Sequence, residues 1–177
     1  MKKKLYSSAL VAGVAVAAVV AILPAGAASA DSANTTVTFA LTGGSLNISA
    51  PATADLGSAA TTATTVSGPL GTVTVNDSRG MLAAVWTATV STTDFTTGSG
   101  SNTASISGAN VTYTPGLAKG NALTVPTPGL LNLPLPVMTA TAVGNNTASW
   151  TPTLTVLLPG SGAVAGTYTG TVTHSVS

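Results

Sequence analysis

The stretch 71-GTVTVNDSRGMLAAVWTATVS-91 decides how this chain is read. Val73 and Val75 fall on one face and threonines on the other, the period of two that marks a half-buried strand. Asp77 and Ser78 bend the backbone after that strand, and Gly80 tolerates a positive φ. Leu82, Ala84, Trp86, Ala88 and Val90 then share one face of a second strand. Arg79 is the only arginine of a chain in which 5% of the residues are charged, and it stands two positions after Asp77. That spacing puts the two charges at the crossing between the strands, within reach of each other and of the turn's amides. Asp77, Arg79 and Gly80 are therefore expected to form a charged lock on the turn.

The same rhythm runs outward in both directions. Val37, Phe39 and Leu41 share a face in TTVTFAL, and Leu46, Ile48 and Ala50 share one in SLNISA, with Gly43-Gly44 between them as a hairpin signal. Downstream, ANVTYT, ALTV, VMTATAV, ASWTPTLTVLL and GTYTGTVTHSVS follow, separated by Gly, Pro, Asn or Ser clusters. About nine short strands rich in β-branched residues, with no helical stripe after residue 30, predict an all-β fold: an antiparallel β-sandwich of immunoglobulin-like or Greek-key type. Residues 52–68 hold few large apolar groups and read as a loop or a weak edge strand. In VPTPGLLNLPLPV, residues 125–137, four prolines withhold backbone donors, which excludes a central strand. Leu130, Leu131, Leu133 and Leu135 either fold back to close one end of the core or form an exposed loop that docks a partner. In the last run Tyr168, Gly170, Val172, His174 and Val176 share the apolar face, so His174 is expected to be packed and hydrogen-bonded.

The first thirty residues differ from the rest. Lys2, Lys3 and Lys4 precede an apolar run from Ala9 to Leu23, and Pro24 with Ala28-Ser29-Ala30 supplies a breaker and a small-x-small cleavage site. The run is too short for a membrane span of about 20 residues. Residues 1–30 read as a cleaved secretory signal, and removing 30 of the 177 residues leaves 147, enough for one domain over residues 31–177. Only Arg79 and Lys119 then face Asp31, Asp55, Asp77 and Asp94, a net charge of −2. Two cations cannot neutralise a phosphate backbone, which excludes nucleic acid as a main partner, and they leave little for anionic membranes or wall polymers to attract. With no cysteine there is neither a disulfide nor a lipobox, and the chain closes on VTHSVS without a sorting signal. The expected location is outside the cell, secreted or at the cell surface, with no membrane span after cleavage and no covalent anchor.

Catalytic material is scarce. His174 is the only histidine, glutamate is absent beyond residue 30, and no GxSxG elbow is present, so no catalytic residue is assigned. One histidine and four scattered aspartates make neither a zinc site nor an EF-hand, so no metal and no cofactor is expected.

Two stretches carry a resemblance. Val75-Asn76-Asp77-Ser78-Arg79-Gly80, leading to Trp86, and Gly166-Thr167-Tyr168-Thr169-Gly170-Thr171-Val172 near the C-terminus resemble the WxL-domain proteins, secreted surface proteins of Gram-positive bacteria. The Trp-x-Leu motifs stand here as Trp86-Thr87-Ala88 and His174-Ser175-Val176. The resemblance implies a non-enzymatic protein bound without covalent linkage to peptidoglycan or another wall glycan, with Asp77, Arg79, Trp86, Tyr168 and His174 as candidate ligand-binding residues. Trp86, Trp150 and Tyr168 would offer aromatic faces to sugar rings if they reached the surface, whereas the facing pattern puts Trp86 and Tyr168 inside. A second reading is a self-assembling coat or matrix subunit, because uncharged strand edges and the apolar 125–137 loop invite association with another copy or another surface protein.

Overall fold

The computed structural model describes residues 31–99, 102–160 and 163–177, so the signal assigned to residues 1–30 lies outside the described part. The segment up to Phe39 separates from a compact unit over Ala40–Ser177. Within 31–45 no residue belongs to a strand. Fourteen strands follow: β1 (Leu46–Ser49), β2 (Thr65–Pro69), β3 (Val73–Asp77), β4 (Ala84–Thr92), β5 (Phe95–Ser99), β6 (Asn102–Ile106), β7 (Val111–Thr114), β8 (Ala118–Lys119), β9 (Leu123–Thr124), β10 (Gly129–Leu130), β11 (Leu135–Ala142), β12 (Asn146–Trp150), β13 (Thr153–Leu157) and β14 (Val172–Val176). One 3-10 turn, Gly108–Asn110, interrupts them. No helix among the described residues is long and apolar enough to cross a membrane.

The fold is an all-β antiparallel sandwich. Its sheets run β1-β3-β12-β8, β10-β7-β13-β2 and β14-β4-β11-β9, with β5-β6 as a separate hairpin. The strand count exceeds the nine expected, although TTVTFAL is lost, because ASWTPTLTVLL divides into β12 and β13, β2 arises largely from the 52–68 stretch, β8 and β10 are two-residue pieces, and β5–β6 falls in a stretch without an apolar alternation. The ribbon β2–β3 lies antiparallel to β12–β13 and changes sheets midway. Pro69 faces Thr153 and Val73 faces Trp150, so three residues on one strand oppose two on the other, a bulge at the corner. Pro152 sits there, and its carbonyl accepts from Leu70 N–H at 2.9 Å.

Inward-facing residues of three sheets meet in one core. Val73, Val75, Ala148 and Trp150 come from the first, Val111, Tyr113, Leu154 and Val156 from the second, and Trp86, Ala88, Val90, Val137 and Met138 from the third. The strands supply alternate residues, as the pleat requires, except at the register shift in β11, where the consecutive Val137 and Met138 are both buried.

Four sequence expectations change. TTVTFAL is not a strand: Val37, Phe39 and Leu41 are 79%, 85% and 90% exposed. Gly43-Gly44 makes no hairpin, because β1 pairs with β3 instead and the glycines lie against residues 78–79; a Cβ on Gly43 would collide with the Arg79 carbonyl oxygen. Leu82 precedes β4 and is 88% exposed rather than sharing the face of Trp86. Finally, the proline segment does enter an interior strand, since Pro136 belongs to β11. It is tolerated because the ladder to β4 shifts between Pro136 and Met138, and β9 pairs only with Thr139 and Ala140, leaving β11 a single neighbour at the proline. In the preceding loop Leu131 is buried and closes the core, while Leu130 and Leu133 are exposed.

Candidate functional site

Asp77 is the last residue of β3 and keeps the inward parity of Val73 and Val75, which carries its carboxylate into the protein with no exposed surface. A bare buried carboxylate would be costly. Here every lone-pair direction has a donor. Arg79 gives its backbone N–H and Nε–H to Oδ1 at 3.0 and 2.9 Å and its Nη2 to Oδ2 at 2.9 Å. Asn146 Nδ2 adds a longer bond to Oδ2 at 3.4 Å. The Arg79 guanidinium holds the Asp77 carboxyl down to about 2, against the opposing effect of burial, and the carboxylate in turn raises the arginine. The turn permits this because Gly80 takes φ +67°.

Two further bonds make the turn part of the sandwich. Arg79 Nη2 donates to the Val85 carbonyl at 3.0 Å, tying the turn to β4. Asn146 Oδ1, from β12, accepts from Trp86 Nε1 at 2.9 Å. Arg79, Asp77, Asn146 and Trp86 thus form one chain of polar contacts across two sheets, ending on an indole that is 1% exposed.

A second chain crosses the core. Trp150 Nε1 donates to the Tyr113 hydroxyl at 2.9 Å, and that hydroxyl stands 3.0 Å from His174 Nε2. The Tyr113 and His174 rings meet edge to face at 5.6 Å. The buried hydroxyl has Trp150 and His174 as its two described partners, and Trp150 Nε1 can only donate, so the O–H is assigned as donating to His174 Nε2, which corresponds to the neutral imidazole with hydrogen on Nδ1. Burial lowers the His174 pKa in keeping with that state, and it pushes Tyr113 up to about 12 against the Trp150 donor. No described buried side-chain nitrogen or oxygen lacks a partner.

The candidate residues therefore separate. Asp77, Arg79 and Trp86 come together at one corner, His174 belongs to the other chain, and Tyr168 stands apart with its hydroxyl donating to the Val164 carbonyl at 3.1 Å. Trp86 and Trp150 present no aromatic face to solvent. Half-buried Tyr168 lines a groove of about 690 Å³, and His174 lines an adjoining one of about 380 Å³. The larger runs beside residues 163–170 and the smaller beside β14, and they share Leu56, Phe95 and Gly170; Asp55 is the one charged residue among the described lining residues. No three described His, Asp or Glu side chains gather closely enough to hold a metal ion.

Asn146 and Tyr113 are the members that sequence reasoning passed over. Asn146 sits in an Asn-Asn-Thr run of a Thr-rich chain, where a sequon arises by chance, and Tyr113 looks like any strand aromatic; only the pairing of β12 with β3 and the meeting of β7, β12 and β14 in the core show what each one touches.

By fold and site, the described residues define an all-β sandwich whose polar clusters are internal and whose two grooves carry a single charged residue, Asp55. The chain matches no protein-family model, no curated protein and no solved structure.

Proposed function

We propose that this protein is an exported, non-enzymatic structural component of the bacterial cell envelope, retained at the wall without covalent linkage and joined to its own copies. The observation that carries the self-association is the exposure of Val37, Phe39 and Leu41 in a segment with no strand partner. A soluble monomer gains nothing from keeping three large apolar side chains in water. The scarcity of charge points the same way, since strand edges without charged residues are not protected against pairing with other strands.

Retention at peptidoglycan is what the WxL resemblance implies. Burial of Trp86 and Trp150 argues against stacking on sugar rings at those two positions, and the hydrogen bonds of Asp77 and Arg79 are taken up inside the protein. Wall contact then falls to an outer surface on which charges are few, Asp31, Asp55, Asp94 and Lys119 being the exposed ones, and binding of that kind resists salt. The test is co-sedimentation of the exported protein with isolated cell walls across a salt series, alongside light scattering over a concentration series. Salt-resistant sedimentation and a mass that grows with concentration are expected. A protein that stays in the supernatant and remains monomeric throughout would refute the reading.

A further inference from the structure

We propose that the segment Thr36–Thr42 of one copy adds as a strand to the free edge of the C-terminal strand of a second copy, filling the groove beside it. This rests on the self-association reading above and names the two surfaces that meet.

The donor has the pattern of a strand without a partner. Val37, Phe39 and Leu41 alternate with Thr36, Thr38, Ala40 and Thr42, every one of them is exposed, and no charge occurs between Asp31 and Asp55. Seven residues span about 23 Å when extended at about 3.3 Å each. The turn that would return the segment onto its own β1 is not made. Gly44 N–H is instead bonded to the Ser78 carbonyl at 2.7 Å, and Ser45 N–H to Ser78 Oγ at 3.0 Å.

The acceptor is an edge with an unfinished core behind it. β14 pairs with β4 on one side only. That ladder continues at both ends, through reciprocal Ser177 and Thr87 bonds and through the bridge of Thr169 to Thr96, so the strand is ordered over Thr169–Ser177 while its other edge stays unpaired. The smaller groove lies along β14, lined by Gly170, Val172 and His174, and the larger continues it along the residues before the strand, up to Gly170. Core residues Ile106, Leu154 and Val156 reach the groove walls, so apolar groups that belong to the interior are open here. Parity along β14 agrees: Val172, His174 and Val176 point inward yet are only half-buried, while Trp86, Ala88 and Val90 of the neighbouring β4 are fully buried. A strand added at β14 would cover that face, and its three alternate apolar side chains match the three inward positions. No charged residue or proline guards the edge.

The absence of cysteine makes the test direct. Light scattering on the exported protein is compared with the triple variant Val37→Ser, Phe39→Ser, Leu41→Ser, whose substitutions touch only exposed positions, and with Leu133→Ser as an apolar control elsewhere. The parent and Leu133→Ser are expected to grow in mass with concentration and the triple variant to remain monomeric. Mixing Thr38→Cys protein with Thr171→Cys or Thr173→Cys protein should then yield disulfide-linked dimers joining the two different chains. Assembly of the triple variant equal to the parent overturns this interface while leaving self-association intact; a monomeric parent overturns both. A Thr38→Cys, Thr173→Cys double variant that closes its disulfide within a monomer also overturns it, because the segment then caps its own groove.

Discussion

The two buried tryptophans end in the same situation by different routes. Trp86 donates a hydrogen bond from its indole N–H to Asn146, which belongs to a cluster organised by a charge pair; Trp150 donates its N–H to Tyr113, whose hydroxyl bonds in turn to a neutral histidine. The first cluster is built around two residues only two positions apart and satisfies its carboxylate almost completely from its own turn. The second draws one residue from each of three sheets, at sequence separations of 37 and 61. An ion pair can therefore be prepared locally and docked, whereas a neutral chain exists only once the sheets are assembled. The difference also sets their pH behaviour, since the first depends on an ionised group and the second on an un-ionised one.

The strongest way to break this parallel is to remove each indole. Trp86→Ala and Trp150→Ala are each expected to cost about 3–5 kcal/mol, since both side chains are fully buried in the core and each leaves a polar partner behind. Denaturant midpoints measure it, and a loss under about 1 kcal/mol for either would show that its chain is not part of the folded core. Next comes Tyr113→Phe, which leaves Trp150 Nε1 without an acceptor and His174 Nε2 without a donor. A loss of about 1–3 kcal/mol is expected, read from the same midpoints.

Acid sharpens the contrast. The Asp77 carboxyl, ordinarily 3.8, is held at about 2 in the folded protein, so its contribution is complete above 3.8 and is lost as pH falls through that value toward about 2. The loss is on the order of 1 kcal/mol, and Asp77→Asn should remove that limb of the stability curve. His174 has a folded pKa below its ordinary 6.5, so stability is complete above 6.5 and declines as pH falls through it, because a protonated Nε2 can no longer accept from Tyr113. His174→Gln should abolish this upper step and leave the lower one, as followed by denaturant midpoints from pH 8 to 2. The smallest effect belongs to Leu82→Ser, within about 0.5 kcal/mol, because Leu82 follows the alternation of Trp86 but lies outside β4 in water.

Much of the fold was legible in the residues. The period-two runs around Val73, Trp86, Tyr113, Val137 and Val156 became β3, β4, β7, β11 and β13, because alternation reports which side chains a pleated strand turns toward a core. The pairing of Asp77 with Arg79 was legible for a related reason: two charges within one turn meet whatever the rest of the chain does. The hairpin β5–β6 was not, since Asp94 to Ile106 shows no apolar period and its pairing comes from backbone bonds alone. Nor was the fate of Val37, Phe39 and Leu41, whose pattern matches a strand as well as any other in the chain.

By itself, then, the sequence determined the strand class, the positions that face inward and the charged lock at the turn, all of which follow from local spacing and backbone stereochemistry. The tertiary structure alone decided which strand lies beside which. That choice put Asn146 between Asp77 and Trp86, joined Trp150 to His174 through Tyr113, and left the 36–42 segment without a strand partner and β14 hydrogen-bonded on one edge only, with β1 close by but unpaired to it. Alternation specifies a face but not a partner, because every backbone ladder offers the same donors and acceptors.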